Sequence, residues 1–470
     1  MRILLPTGAA TVDIVRKAAA GFNADVMVTG KIASFLTPHA LRELITKGAY
    51  DAVVVSGMCT VSFEQVERET GVPVYRGPRH AADLAGILPL VGKVPLSRTV
   101  PAEDFLAAGK AKDAVKRVMA AEITAEPEFV IRGVKIGGTS RIKVLAEIMD
   151  AHRVEIIQDR VEQYFSCGAD IVDLGFGFDA TPADVKRVFS ELEEINGPLS
   201  VDTQDPDLIR TALFRADLVL SLQETNIPLV GKDVARAGAA AVVVPGGNTL
   251  AKNITRARRA GVSCIIADPL LQPVGSGLVT SLRQFKDSGC PLFFGAGNVI
   301  ELLDADSIGT NALLAGMAME TGAAVIFSSE HSDKTRGSIR EMRRATEMMV
   351  LARDRPYPKD LGVDLLVLKE KRRRREPPLE YKTVIPAGRM PNEITYDPKG
   401  NFRIGIEGDQ IVAVINGKAM KGSRWQDVLY TLIDGGHVSL LDHAGYLGRE
   451  LYKAELAIRY GRSFEQDGEF

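Results

Sequence analysis

The feature that most constrains the fold is a steady alternation of short apolar runs with helix-length stretches, which continues to about residue 350. Such alternation indicates parallel α/β architecture, because a crossover between parallel strands needs room for a helix. From residue 129 onward, eight strand candidates begin roughly 18 to 36 residues apart, which is the spacing of a TIM barrel. The sequence therefore predicts a (β/α)8 barrel over residues 129–356. The candidates are 133–137, 169–175, 198–202, 216–222, 240–246, 263–269, 291–297 and 323–329.

A smaller α/β domain is predicted before the barrel, at residues 1–123. Its strand candidates are apolar on both faces, as expected of strands buried in a parallel sheet. We expect a doubly wound sheet of the Rossmann or flavodoxin-like type, followed by a helical stretch near residues 100–121. The four strand candidates are 2–6, 25–29, 52–56 and 72–75.

A third domain is predicted after the barrel, at residues 378–470. A linker at 357–377 precedes it and contains the run KEKRRRREPP. We interpret this run as solvated rather than as a nucleic-acid site, because no aromatic residues interrupt it. Two strand candidates, two helical stretches and a turn at 407–409 favour a small α+β domain. The strands are 402–406 and 411–415, and the helices are 425–433 and 440–460.

Composition excludes several classes of function. Lys and Arg number 58 against 60 Asp and Glu, so no overall basic field recruits nucleic acid or an anionic membrane. No apolar run approaches the roughly 18 residues of a membrane span, and the start MRILLPTG does not resemble a signal peptide. We therefore expect a cytoplasmic protein. Four widely spaced cysteines without a C-x-x-C pair indicate neither a zinc site nor a disulfide framework.

Carboxylates and amides follow the predicted barrel strands. Because reactive groups of TIM barrels lie at the C-terminal ends of the strands, we expect these side chains to meet at one rim. Such groups suit a flat heterocycle with an amidine-like edge, since Asp accepts paired hydrogen bonds and Asn serves either polarity. The same carboxylates could instead bind Mg²⁺, and the residues alone leave both interpretations open. The side chains are Asp173, Asp202, Asp268, Asn298 and Glu330.

The loop after the eighth predicted strand is a candidate anion site. Ser332, Lys334 and Arg336 lie there, directly before a predicted helix. Loop N–H groups, a helix N-terminus and basic side chains are what a phosphate needs at this place in a barrel. A capped helix start with two solvated cations explains the same residues equally well.

Four segments in order carry a family resemblance: GADIVDLGFGFDATPADVKRV, PLSVDT, ADPLLQPVGSG and FFGAGNVIEL. They resemble the pterin-binding barrel shared by dihydropteroate synthases and corrinoid-linked methyltetrahydrofolate methyltransferases. The resemblance covers roughly residues 129–350. With its α/β leader and the tail DHAGYLGRELYKAELAIRYGRSFEQD, the whole chain is similar to the dihydropteroate synthase-related proteins of methanogens and methylotrophs, organisms that use tetrahydromethanopterin.

The resemblance implies a set of pterin-binding residues. Asp202, Asp268 and Asn298 match the family's third, sixth and seventh strand motifs, and Asp173 stands at the end of the second strand. An Asn usually ends the fourth strand and is missing here. Gln223 or Asn226 could replace it.

Departures from the synthase pattern leave the reaction open. The synthase loops N-x-T-P-D-S-F, Ser-Arg-Lys and Arg-x-His are replaced here by GGTSR, GAGN and SSEHSDKTR. Arg141, Lys334 and Arg336, with Ser332, could supply positive charge and donors for a departing diphosphate. We assign no catalytic residue and no protein ligand to a metal, although Mg²⁺ could accompany a diphosphate.

Three functions remain open from the sequence. The first is a dihydropteroate synthase-like enzyme of tetrahydromethanopterin or folate-type biosynthesis, which joins a dihydropterin methyl diphosphate to an arylamine. The second is a methyltransferase acting between a methylated tetrahydropterin and a corrinoid protein. The corrinoid-binding motif D-x-H-x-x-G does not occur in this chain, so a separate subunit would have to provide it. The third is a non-catalytic pterin-binding scaffold. By analogy with related barrels, a homodimer is expected.

Overall fold

The computed structural model describes residues 1–105, 107–286, 288–355, 357–367, 379–389 and 395–468. The chain forms two compact units. The first comprises Met1–Leu303, Ser307–Ser329 and Gly337–Leu365, and the second comprises Asp304–Asp306, Glu330–Arg336 and Leu366–Phe470. The predicted basic run KEKRRRREPP falls on residues 369–378, which lie outside the described residues.

The first unit begins with a four-stranded parallel sheet of order β2-β1-β3-β4. All four predicted strands are confirmed, since apolar residues on both faces pack into two separate cores. The strands are β1 (Ile3–Thr7), β2 (Ala24–Val28), β3 (Ala52–Val55) and β4 (Val74–Arg76). The helices are α1 (Val12–Ala19), α2 (Pro38–Thr46), α3 (Glu64–Thr70), α4 (Leu84–Ile87), α5 (Ala102–Phe105) and α6 (Ala107–Thr124).

The start of the barrel differs from the prediction. Residues 133–137 fall in an antiparallel hairpin of β5 (Phe129–Ile131) and β6 (Val134–Ile136), and the first barrel strand is β7 (Lys143–Ile148). Apolar side chains of the hairpin pack against the barrel interior, which explains why its sequence reads like a buried strand. The hairpin lies near the N-terminal ends of the barrel strands, because Gly137 is beside Pro291, the residue before Leu292–Phe294.

The predicted eight-stranded barrel is confirmed, with β14 pairing back to β7 to close it. Helices on the outside pack apolar side chains against the strands. The other strands are β8 (Ile171–Gly175), β9 (Leu199–Asp202), β10 (Leu218–Leu222), β11 (Ala240–Val243), β12 (Ile265–Ala267), β13 (Leu292–Phe294) and β14 (Ala323–Ser329). The helices are α7 (Ile157–Cys167), α8 (Pro182–Glu191), α9 (Pro206–Ala212), α10 (Ile227–Ala237), α11 (Leu250–Arg259), α12 (Leu278–Leu282), α13 (Ala296–Glu301), α14 (Ser307–Glu320) and α15 (Ser338–Ala352).

The second unit contains a three-stranded antiparallel sheet and two helices, which pack around one apolar core. The two predicted strands and the two predicted helices are confirmed. A third strand was not predicted, because it is a polar edge strand whose side chains are mostly exposed. The elements are β15 (Arg403–Glu407), β16 (Gln410–Ile415), β17 (Lys418–Gly422), α16 (Trp425–Asp434) and α17 (Leu441–Tyr460).

Across the described part of the chain, no helix has the length and apolar character needed to cross a membrane.

The turn that leads from the hairpin into β7 depends on Gly138. Its φ is +60°, and an added Cβ would lie 1.9 Å from the carbonyl oxygen of Glu126. We expect Gly138→Ala to lower the free energy of unfolding by about 3 kcal/mol, because it adds left-handed strain and a clash with backbone. Denaturant unfolding of G138A beside G309A measures this. Gly309 lies within α14 with open space around it, so G309A should be neutral or slightly stabilising; similar losses in both variants would contradict the explanation.

Candidate functional site

The C-terminal mouth of the barrel gathers four carboxylates. Side chains of a barrel strand alternate between the interior and the helix layer. Leu145, Ile171 and Ile266 belong to the interior cluster, and carboxylates stand two residues after each of them. A fourth carboxylate stands two residues after Ser200, whose hydroxyl reaches the β8 carboxylate. The four inward-pointing acids are Glu147, Asp173, Asp202 and Asp268.

Three of these acids form a tight cluster. Glu147, Asp173 and Asp202 each place a carboxylate oxygen within 4.8 Å of the others. The Ser200 hydroxyl donates to Oδ1 of Asp173, while Oδ2 of Asp173 is buried and has no hydrogen-bond partner. An unsatisfied buried carboxylate oxygen is costly, so the cluster is suited to receive a hydrogen-bond donor or a cation.

Burial and mutual repulsion keep protons on this cluster. Burial, followed by the negative charges of Asp202, Glu301 and Asp150, raises the pKa of Glu147 to about 7. Burial raises the pKa of Asp202 to about 6. Burial, with repulsion from Asp202 and Glu147, also raises the pKa of Asp173 well above its ordinary value. Glu147 and Asp202 therefore exchange protons close to neutral pH, which is the range useful for acid–base chemistry.

Asp268 lies at the same end of the barrel, directly after β12. Its side chain is buried, and its Oδ1 accepts a hydrogen bond of 2.8 Å from the backbone N–H of Leu270. Leu270 has a φ of +66°, an unfavourable conformation for a leucine, which closes the turn beneath the carboxylate. Burial raises the pKa of Asp268 to about 7 despite this bond. The structure therefore brings Asp173, Asp202 and Asp268 to one mouth.

The three predicted amide ligands, Asn298, Asn226 and Gln223, differ in their exposure and in their hydrogen bonds. Asn298 is exposed in the first turn of α13, immediately after β13. Asn226 is buried, and its amide is used internally: Oδ1 accepts from the N–H of Gln223 at 2.9 Å, and Nδ2 donates to the carbonyl of Ser221 at 3.0 Å. Gln223 is partly exposed and donates to Gln204 at 2.8 Å. Of the two proposed replacements for the missing fourth-strand Asn, Gln223 is the more accessible.

Arg141 does not lie at this mouth, contrary to the prediction of an anion site there. It precedes β7 and so stands at the N-terminal end of the barrel. Its guanidinium is 4% exposed, and it pairs with Asp170, the residue before β8, at 2.5 Å. The misplacement follows from the first strand, which was predicted to end before Arg141 and instead begins after it.

The other predicted anion ligands lie in the second unit. Asp333–Thr335 form a short 3-10 turn, and the backbone N–H of Ser332 donates to the Thr335 hydroxyl at 3.1 Å. Lys334 pairs with the fully exposed Asp304 at 3.0 Å. Arg336 pairs with the exposed Asp409 at 3.3 Å. Such surface ion pairs contribute little stability, so an anion could displace them at small cost, and the anion site stays a prediction.

Sequence reasoning missed two acids of the mouth, Glu147 and Glu301. Glu301 ends α13 and accepts a hydrogen bond of 2.8 Å from Ser329 at the end of β14. Because Glu301 lies on a helix, it was not found by searching for polar residues directly after the barrel strands. Glu147 could have been found from the alternation of Leu145 and Glu147, had the first barrel strand been assigned to β7.

Comparison with known proteins shows one full-length relative. The uncharacterized protein MJ0107 of Methanocaldococcus jannaschii is 31% identical, and the match covers 99% of this chain and 98% of that protein. The family model PterinBD-DUF4346 matches residues 396–467. Among solved structures, dihydropteroate synthase from Thermus thermophilus in complex with 6HMPPP is 22% identical, with a TM-score of 0.37, covering 44% of this chain and 93% of that chain. Xanthomonas albilineans dihydropteroate synthase with 4-aminobenzoic acid is 19% identical, with a TM-score of 0.37, covering 46% of this chain and 95% of that chain.

Proposed function

We propose that this dihydropteroate synthase-related, pterin-binding TIM-barrel protein, which belongs to the same family as the M. jannaschii protein, is a dihydropteroate synthase-like transferase. The substrate is a dihydropterin methyl diphosphate, and the acceptor is an arylamine. The observation that carries the proposal is the group of buried, inward-pointing carboxylates at the barrel mouth.

The carboxylates match the polar edge of a pterin. The amino-pyrimidine edge of that ring presents neighbouring N–H donors, which a carboxylate accepts as a pair. Asp268 and Asp202 take this role, with Asp173 below them offering its unpartnered Oδ2 to a further donor. Apolar strand residues beneath the acids, with the exposed Asn298 and the partly exposed Gln223 at the rim, complete a site with an apolar floor and polar edges.

The proposed reaction is a substitution at the pterin methylene carbon. The arylamine nitrogen forms a new C–N bond, the C–O bond to the diphosphate breaks, and the amine loses a proton. Glu147, whose pKa burial raises to about 7, is a carboxylate that can accept this proton at neutral pH. The protein thus contributes mainly positioning and a proton acceptor.

Diphosphate departure needs positive charge. The candidate groups from the sequence are Lys334, Arg336 and Ser332, which lie in the second unit, where the two cations pair with exposed carboxylates; their use for the diphosphate stays a prediction. Mg²⁺ bound with the diphosphate would add charge, and the mouth offers the carboxylate oxygens that this ion prefers. We also propose that the arylamine carries a ribosyl phosphate. Its phosphate is a second anion that the predicted anion site at Ser332, Lys334 and Arg336 could bind.

The wider assignment is part of the same proposal. We place the reaction in tetrahydromethanopterin or folate-type cofactor biosynthesis, in the cytoplasm, and we propose a homodimer. Light scattering of the purified protein tests the dimer, with a mass of twice the 50.8 kDa chain expected.

The decisive assay follows diphosphate release from a hydroxymethyl-dihydropterin diphosphate, with 4-aminobenzoate or its ribosyl phosphate derivative as acceptor. We expect one diphosphate per condensed product. The double variant D202N/D268N should be at least about 100-fold slower, since it loses two charged hydrogen-bond acceptors.

The other outcomes distinguish the remaining hypotheses. Tight pterin binding without diphosphate release from the pterin substrate, whichever arylamine is offered, would favour a scaffold. Formation of methylcobalamin from cob(I)alamin and a methylated tetrahydropterin would favour a methyltransferase. Either result would overturn the synthase assignment.

A further inference from the structure

A second cluster of ligand-type side chains lies on the loops after the first two barrel strands. Asp150 follows β7, His152 belongs to a 3-10 turn at Ala151–Arg153, and Asp179 is in the loop after β8. One ligand atom from each of the three lies within 4.8 Å of the other two. None of these residues is assigned to bind the pterin, although the charge of Asp150 acts on Glu147.

The side chain of His152 gives the strongest indication that this cluster binds a ligand. Its side chain is 8% exposed, yet both ring nitrogens are buried and have no hydrogen-bond partner. Nε2 points towards Oδ1 of Asp179 at 3.6 Å, beyond hydrogen-bond length. The ring stacks on Phe176, with centroids 6.2 Å apart, which holds its orientation. A buried imidazole nitrogen without a partner is costly, and a metal ion bound to Nε2 removes that cost for this nitrogen.

The two carboxylates converge on the same point. A Cβ placed on Gly177 would lie 2.7 Å from Oδ1 of Asp150 and 3.1 Å from Oδ1 of Asp179. Glycine is therefore required here because two carboxylate oxygens occupy the space beside its backbone. Asp150 itself has a φ of +48°, and its side chain does not cap the turn that follows. Its carboxylate is thus directed into the cluster.

Arg153 places a positive charge beside the cluster but does not occupy the space between the three ligand atoms. Its guanidinium donates to Oδ2 of Asp179 at 2.6 Å and lies 4.0 Å from Oδ2 of Asp150. These contacts use the outer oxygens and leave both Oδ1 atoms near Gly177.

We propose that Asp150, His152 and Asp179 bind a divalent transition-metal ion of the Zn²⁺ type. One imidazole nitrogen and two carboxylate oxygens suit Zn²⁺, whereas Mg²⁺ favours oxygen ligands alone. Three protein ligands leave coordination positions free. Because the side chains of Asp150 and Asp179 are 45% and 57% exposed, those positions are open to water or to an oxygen of an anionic ligand.

Titration of the chelator-treated, full-length protein with Co²⁺, followed by competition with Zn²⁺ and Mg²⁺, tests the site. We expect one Co²⁺ per chain, a visible absorption band of nitrogen and oxygen coordination, and displacement by Zn²⁺ but not by millimolar Mg²⁺. H152Q should bind Co²⁺ at least tenfold more weakly. G177A should do the same while keeping all three ligands, because the added methyl group displaces both Oδ1 atoms.

H39Q is the matched control. His39 is exposed on α2, and its replacement should leave Co²⁺ binding unchanged. Equal binding by H152Q and wild type would overturn the proposal, as would a thiolate charge-transfer band, which would assign the metal to a cysteine. Thermal unfolding without metal shows whether each variant is folded. The titration contains no pterin, so its outcome is independent of the proposed transferase activity.

Discussion

Replacing Glu147 by Gln should stabilise the protein at pH 8 and slow the proposed reaction. In the folded protein, burial and neighbouring acids raise the pKa of Glu147 to about 7, whereas an exposed Glu titrates near 4.3. Glu147 is therefore protonated more readily in the folded state than in the unfolded state. Between these two pKa values the folded protein binds the extra proton, so its stability falls as the pH rises from about 4 to about 7.

The size of this effect follows from the pKa difference. At pH 8 the ionised Glu147 costs about 3.5 kcal/mol relative to a neutral side chain of the same shape. Gln supplies that shape, and its amide can donate to a neighbouring carboxylate such as Asp173. Denaturant unfolding at pH 5 and pH 8 should show a loss of stability with pH in the wild type and a smaller loss in E147Q.

Glu224 provides a control of opposite sign. Hydrogen bonds from Asn253 and from backbone N–H groups lower the pKa of Glu224 to about 2. A lowered pKa means that the ionised form stabilises the fold, fully above about 4 and less as the pH falls towards 2. E224Q should therefore be less stable than wild type at pH 8. Destabilisation of both variants at pH 8 would contradict the account of the acidic cluster.

E147Q should also be a poor catalyst, because Gln cannot accept the arylamine proton. A variant that is more stable yet less active is the expected result when buried like charges are kept for function. Increased stability with full activity would remove Glu147 from the proposed mechanism and leave the pterin site intact.

The architecture was predictable because strands of a buried parallel sheet are apolar on both faces. Seven of the eight barrel strands were located by their apolar runs alone. The exception, β7, begins with Lys143 and contains Glu147, so it does not read as a buried strand. Lys143 is 2% exposed, and its ammonium donates to Glu122 of α6 at 2.8 Å. A pairing with a residue 21 positions away leaves no local sequence signal.

The same error explains which parts of the site were found. Asp202 and Asp268 were found because each stands at the C-terminal end of a recognisable strand. The C-terminal ends of parallel barrel strands lie at one rim. Glu147 was missed and Arg141 was placed at the wrong end, since both assignments depend on where the first strand begins. Asn226 follows a correctly predicted strand, but its amide bonds to the backbone of Gln223 and Ser221 just before it. Local capping competes with ligand binding for such a residue, and the sequence does not show which use prevails.

Replacing Asp268 by Asn should weaken dihydropterin binding by about 10- to 100-fold at pH 8. The variant keeps the shape of the side chain and the turn at Leu270, but it loses a charged acceptor for the paired N–H donors of the ligand. Hydrogen bonds to a charged group are worth about 1.5 to 3 kcal/mol, which corresponds to this range. Calorimetric titration with a dihydropterin measures the change. D207N, which alters an exposed carboxylate at the start of α9, should bind like wild type.

The pH dependence separates loss of charge from loss of structure. Burial raises the pKa of Asp268 to about 7, and the ligand needs its ionised form, so affinity in the wild type should rise about tenfold from pH 6 to pH 8. Glu147 and Asp202 titrate in the same range and remain in D268N, so this variant should keep a shallower slope rather than none. If D268N bound as tightly as wild type at pH 8, or showed the same slope, Asp268 would not be the acceptor. The buried carboxylates would then have to serve a ligand other than a pterin.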